Sequence, residues 1–157
     1  MAIHLIRHAH AGRRSDWDGP DVQRPLSDKG WGQAAAIADD LAGAGIGRLW
    51  TSPYVRCRQT LEPLSERLAL PIEPVDDLGE GGGTSVLDRL IASAASGVTV
   101  AACSHGDVIP ALVAQALGRG ATIDGPASLQ KGARYELTVV DGAITTIVHT
   151  HRPAVGV

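Results

Sequence analysis

Three short polar clusters hold the residues of this chain best equipped for chemistry: Arg7-His8, Ser52-Pro53-Tyr54-Val55-Arg56 and Ser104-His105-Gly106. Each directly follows a short apolar run, Ile3–Ile6, Ile46–Thr51 and Val98–Cys103 respectively. Together they offer two imidazoles and two guanidiniums. A neutral imidazole is a good nucleophile near neutral pH. Two arginines would neutralise a phosphoryl group and stabilise charge on its equatorial oxygens. The chemistry indicated is attack on phosphorus by a histidine, and the positive field is expected to keep that histidine unprotonated. Helix starts after Ser52 and Asp107 would add backbone N–H donors for the anion.

The basic residues are lopsided, with twelve Arg against two Lys. A guanidinium fork grips two phosphate oxygens at once, which an ammonium cannot do. Arg7, Arg13, Arg14, Arg24, Arg56 and Arg58 all fall near the polar clusters. Arg13, Arg14 and Arg58 read equally well as solvated surface.

The elements that must position these groups follow from apolar patterning and caps. Ile3–Ile6 predicts a strand, opening into a polar loop from Arg7 to Pro25. Ser27 is a candidate N-cap for a helix over Asp28–Leu41, ended by Gly43, Gly45 and Gly47. A second strand covers Ile46–Thr51, and Ser52-Pro53 predicts a cap and first-turn proline for a helix over Pro53–Leu70. Pro63 inside that helix predicts a kink or break near Glu62. A short strand at Pro71–Val75, a Gly-rich loop at Gly79–Gly83 and a helix over Ser85–Ala95 come next. Val98–Cys103 is the most β-like segment, followed by a helix over Val108–Leu117. Ala133–Val140 and Ala143–His149 flank Asp141-Gly142, a strong two-residue hairpin signal. Alternating strands and helices predict a layered α/β/α domain with a mostly parallel sheet and a C-terminal antiparallel hairpin. In such sheets ligands bind beyond the carboxyl ends of the strands, where all three polar clusters would meet.

RHAHAG at the first strand, RPLSDKG before the first helix, TSPYVRCRQT at the second strand and SHGD at the fourth form an ordered set. The set resembles the histidine phosphatase, or phosphoglycerate-mutase-like, superfamily over about Ala2 to Leu117. Within it the chain is similar to the small SixA-type phosphohistidine phosphatases. It also resembles the histidine-phosphatase domain that follows a Nudix domain in some actinobacterial proteins, VRCRQTLEPL in particular. The resemblance implies that His8 becomes phosphorylated, that Arg7, Arg56 and His105 hold the phosphate, and that Gly106 lends a backbone N–H. Leu78-Gly79-Glu80 matches a Leu-x-Glu that supplies a proton donor in many members, which makes Glu80 the candidate acid. Because SixA-type members dispense with that acid, Asp16, Asp18 or Asp21 of the first loop is the alternative. Arg24, in Arg-Pro-Leu, is open to two roles, an extra substrate contact or an ion pair closing the loop. Mutases of the superfamily carry Arg-His-Gly-Glu where this chain has Ala9-His10 after Arg7-His8, and there is little room for a cap between Glu80 and Val98. Hydrolysis is therefore expected over mutase activity, in a pocket open to phosphorylated protein or to small phosphorylated substrates such as nucleotides.

Two other readings compete. His8-x-His10 and His149-x-His151 resemble metal-ligand pairs, but no carboxylate–His cluster completes a two-metal site. A non-catalytic phosphate-binding module is the other, and the intact quartet of Arg7, His8, Arg56 and His105 argues against it. Gly81–Gly83 lacks the Lys-Ser/Thr of a phosphate-cradling P-loop and reads instead as a flexible edge.

Bulk properties fit this picture. At 157 residues, 44% of them hydrophobic, one domain spanning 1–157 is expected. A net charge of -3 and five aromatic residues give no footprint for nucleic acid. The apolar run in MAIHLIRHAH is short for a signal peptide, so neither that nor a membrane-spanning run is expected, and Cys57 and Cys103 show no CxxC spacing. A cytoplasmic location, no cofactor, no metal and no membrane partner are expected. The oligomeric state is left open, with the hairpin edge as one dimer contact.

Overall fold

The computed structural model describes residues 1–155, so the last two positions of the expected 1–157 domain lie outside the described residues. Strands and helices alternate: β1 (Ala2–Arg7), α1 (Asp28–Leu41), β2 (Ile46–Thr51), α2 (Val55–Leu68), β3 (Ile72–Pro74), α3 (Val86–Ala95), β4 (Thr99–Ser104), α4 (Val108–Gly118), β5 (Thr122–Asp124), β6 (Arg134–Val140) and β7 (Ala143–Thr150). They build one seven-stranded sheet in the order β3-β2-β4-β1-β6-β7-β5. β3, β2, β4 and β1 are parallel neighbours, whereas β6 runs antiparallel to both β1 and β7. The layered α/β architecture with its C-terminal hairpin is the one the sequence predicts. Asp141 and Gly142 both adopt positive φ, 51° and 77°, as a two-residue hairpin turn requires.

The sheet is covered on both faces because its central strands are apolar on both. All six residues of β4 are buried. Val100 and Ala102 pack with Ile3 and Leu5 of β1 against Leu87 and Leu90 of α3 and Ile109 and Leu112 of α4. The alternate residues, Ala101, Cys103 and Ile6, pack against Ile37 and Leu41 of α1 and Leu61 and Leu64 of α2. Burial on both faces is the pattern of a parallel strand between two helical layers.

Three details depart from expectation. The helix foreseen from Pro53 begins at Val55 with Tyr54 as its cap residue, and Ser52 instead accepts the Tyr54 N–H at 3.2 Å, two residues too early to cap it. Pro63 neither breaks nor divides α2, which runs unbroken from Val55 to Leu68. Proline removes one intrahelical bond, and the helix is held by the apolar face it buries, Cys57, Leu61 and Leu64. β5 was not foreseen: Thr-Ile-Asp is too short to show a two-residue alternation, and it is a strand only because it pairs with β7.

The register brings the chemical residues level. Arg7 pairs with Ser104, and Thr51 with Cys103. The ladder then continues one residue beyond the strands, with the His8 N–H on the Ser104 carbonyl at 3.0 Å and the Ser52 N–H on the Cys103 carbonyl at 2.9 Å. β1, β4 and β2 therefore release their chains side by side at one edge of the sheet.

Candidate active site

Four side chains meet at that edge. His8, Arg56 and His105 are all but fully buried, and the guanidinium of Arg7 lies against the α-carbon of Gly106. A Cβ on Gly106 would meet Arg7 Cζ at 2.6 Å, so only glycine leaves room for that stacking. The His8 and His105 rings meet edge to face with centroids 5.4 Å apart. Tyr54 packs edge-on to His105 at 4.6 Å, and the Arg56 guanidinium lies 4.8 Å over the Tyr54 ring. One motif, Ser52 to Cys57, thus frames both a cation and an imidazole.

The hydrogen bonds define what each group can do. His8 Nδ1 lies 2.8 Å from the Ala9 carbonyl oxygen. A carbonyl only accepts, so Nδ1 carries the proton and Nε2 keeps its lone pair. Burial pushes His8 down to about 3, with Arg56, His105 and Arg7 adding to the depression. The direction matches the expectation, but its leading cause is loss of solvent rather than the arginine field. Arg7 donates to the Leu129 carbonyl at 2.8 Å. Arg56 reaches the Asp21 carbonyl at 3.0 Å, the Asp21 carboxylate at 3.1 Å and Glu80 Oε1 at 2.9 Å. Among the described residues Arg7 Nε, Arg56 Nε and His105 Nδ1 are buried with no hydrogen-bond partner. Buried polar groups are normally paired, and these three lie in one cluster.

Of the four acid candidates, Glu80 and Asp21 lie against Arg56. Glu80 Oε1 also lies 3.7 Å from His105 Nδ1. Asp21 bridges Arg14, Arg24 and Arg56, and the Arg24 and Arg56 hydrogen bonds hold its carboxyl below the usual range against the cost of burial. Asp16 and Asp18 are exposed and make no side-chain ion pair among the described residues. Arg24 donates from Nε to Asp21 and from Nη1 to the carbonyls of Ala11 and Gly12. Arg14 reaches Asp21 and Glu80 from solvent, while Arg58 pairs with Glu62 along α2.

Several contacts of the site are not legible in the sequence. Thr60 Oγ1 accepts the Ala9 N–H and donates to the Arg56 carbonyl. Ser52 Oγ lies 2.8 Å from His105 Nε2. Leu129 and Gly132 come from the loop before β6: the first binds Arg7, and the Gly132 N–H bonds the Arg7 and His8 carbonyls. The neighbouring Lys131 is pushed down by burial and by Arg7, Arg24 and Arg56. Ser52 and Thr60 lie inside the TSPYVRCRQT motif, whereas Leu129, Lys131 and Gly132 lie outside every motif.

The metal-ligand pairs do not assemble. His10 Nδ1 is bound to Ser27 Oγ at 2.6 Å. The His149 and His151 rings sit 5.0 Å apart beside a separate cavity of about 290 Å³ with Gln130 and Ser128. Among the described residues no group of three or more His, Cys, Asp and Glu side chains is arranged to hold a metal ion. No helix among them is long and apolar enough to cross a membrane.

A mostly parallel α/β sheet thus delivers two histidines and two arginines to one edge. The chain belongs to the histidine phosphatase superfamily, branch 1, whose family model matches residues 3–86. It is 32% identical over 144 residues to the 8-oxo-(d)GTP phosphatase of Mycolicibacterium smegmatis, a match covering 89% of this chain and 45% of that protein. The chain thus spans about half the length of that curated relative. The structure of the protein histidine phosphatase SixA complexed with tungstate is 27% identical, covers 92% of this chain and 93% of its own, and superposes with a TM-score of 0.75. The α-ribazole phosphatase from Shigella flexneri shares the fold at 17% identity, with a TM-score of 0.70 and coverage of 92% and 94%.

Proposed function

We propose that the chain is one histidine phosphatase domain that hydrolyses a phosphoramidate or phosphomonoester through a phosphohistidine on His8, with a phosphohistidine side chain on a protein as its substrate class. The observation that carries the reading is the tautomer of His8: its Nδ1–H is committed to the Ala9 carbonyl, which leaves Nε2 as a buried, neutral nucleophile. In the first step Nε2 bonds to phosphorus as the bond to the leaving nitrogen or oxygen breaks. Arg7, Arg56 and His105 hold the phosphoryl oxygens through the donors that lack protein partners. Glu80, one-third exposed, gives up Arg56 to the incoming phosphoryl group and protonates the leaving atom. Water then attacks the phosphohistidine, with Glu80 taking its proton, and releases orthophosphate. No step calls on a metal. The likeness to SixA supports the protein substrate.

A nucleotide or nucleoside polyphosphate is the second reading, favoured by the similarity to the 8-oxo-(d)GTP phosphatase. The test is turnover of phosphoramidate and p-nitrophenyl phosphate by wild type and His8→Ala, with and without EDTA. EDTA-resistant turnover lost in the variant is expected. Retained turnover in His8→Ala overturns the nucleophile. Relative kcat/KM for a phosphohistidine protein and for 8-oxo-dGTP then decides between the two substrates.

A further inference from the structure

His105 has one nitrogen on each side of a boundary. Nδ1 is buried, unpartnered and 3.7 Å from Glu80 Oε1, whereas Nε2 is 2.8 Å from Ser52 Oγ. The Ser52 hydroxyl is itself completely buried and already accepts the Tyr54 N–H at 3.2 Å. Its own proton is therefore free to be donated, and Nε2 is the acceptor within reach. We infer that Ser52 is a positioning residue that donates to His105 Nε2 and so keeps the proton of the neutral ring on Nδ1, as a donor to the phosphoryl group. The inference rests on the reading of His105 as a phosphate ligand.

The alternative partner of Nε2 is the sulfur of Cys57 at 3.5 Å, which also lies 3.7 Å from the Ser104 carbonyl that its thiol proton faces. A thiol is the weaker partner, so the shorter oxygen contact decides the tautomer. Without the hydroxyl, the ring proton is free to move to Nε2, and a lone pair on Nδ1 then faces the phosphoryl oxygens and repels them. The other groups packed around the ring are Glu80 from the loop after β3, His8 from β1, Arg56 and Tyr54 from the β2–α2 segment, and the Arg7 guanidinium over Gly106.

Conservative replacement separates this role from simple packing. Phosphoramidate turnover is measured for wild type, Ser52→Ala, Ser52→Thr and His105→Ala. Ser52→Ala is expected to lose roughly tenfold or more in kcat/KM. Ser52→Thr keeps the hydroxyl and should keep near-normal activity. An equal loss in both Ser52 variants, or none in Ser52→Ala, overturns the positioning role. If His105→Ala turns over normally, the phosphate reading of His105 is what fails. Histidine ¹⁵N resonances of the labelled wild type report the tautomer without turnover. A protonated Nδ1 with a bare Nε2 supports the inference. The reverse tautomer, or a doubly protonated ring paired with a Cys57 thiolate, overturns it.

Discussion

Thr60, fifty-one residues away in the chain, accepts the backbone N–H of Ala9 on its side-chain oxygen at 3.0 Å, and the same hydroxyl donates to the Arg56 carbonyl at 2.7 Å. One buried threonine therefore ties the residue that fixes the His8 tautomer to the backbone of the arginine beside it. Thr60→Val keeps the shape and removes the oxygen, which leaves the Ala9 N–H buried and unpaired. The expected cost is about 1–3 kcal/mol, read as a lower urea midpoint with an unchanged slope. Turnover should fall as well, because the Ala9 carbonyl that holds His8 Nδ1 loses its anchor.

Arg56→Lys keeps the charge and discards the fork. Arg56 holds two separate acceptors on Asp21 and one on Glu80, and its Nε lacks a protein partner. An ammonium cannot serve that geometry. A loss of about 10²–10³ in kcat is expected, with the circular dichroism unchanged. Kinetics close to wild type would remove Arg56 from phosphoryl binding.

Glu80→Gln tests the acid. The amide still reaches Arg56 but has no proton to give. Turnover should fall by about 10²–10⁴ for poor leaving groups and much less for p-nitrophenyl phosphate. An equal loss for both transfers the acid role away from Glu80, and Asp21 then becomes the residue to change.

The pH dependence of stability follows from His8. Its folded value, about 3, lies below the ordinary 6.5, so the unfolded chain takes up the proton first as pH falls. The stability that this residue contributes is complete above about 6.5 and is lost toward 3, by up to about 1.4 kcal/mol per pH unit. Buried His4, also pushed down by desolvation, acts in the same direction. Urea unfolding from pH 7 to pH 4.5 should show a shallower decline for His8→Gln than for wild type. Parallel curves would contradict the burial of a neutral His8.

Most of the architecture was legible because it rests on local signals. Ser27 caps α1 by accepting the Gly30 N–H at 3.1 Å, Asp141-Gly142 turns the hairpin, and the apolar runs became β1, β2 and β4. The pairing of three polar clusters with three strand ends was legible too, since a parallel sheet gathers its carboxyl ends at one edge. What stayed hidden depends on neighbours distant in sequence. β5 exists only through β7, and α2 survives Pro63 because its apolar face is buried. Gly30 is required because the His10 carbonyl would lie 2.0 Å from a Cβ there. The amino-acid sequence by itself determined the nucleophile candidate, the two arginines and the strand order's chemistry, because residue type and position after a strand are local properties. Only the tertiary structure decided that His8 Nδ1 meets the Ala9 carbonyl, that Ser52 and Thr60 bond to His105 and Ala9, and that Arg24 bonds to Asp21 and the Ala11 and Gly12 carbonyls. Those outcomes depend on hydrogen-bond partners brought together by the fold, and no spacing along the chain encodes a distance of 3 Å between residues fifty apart.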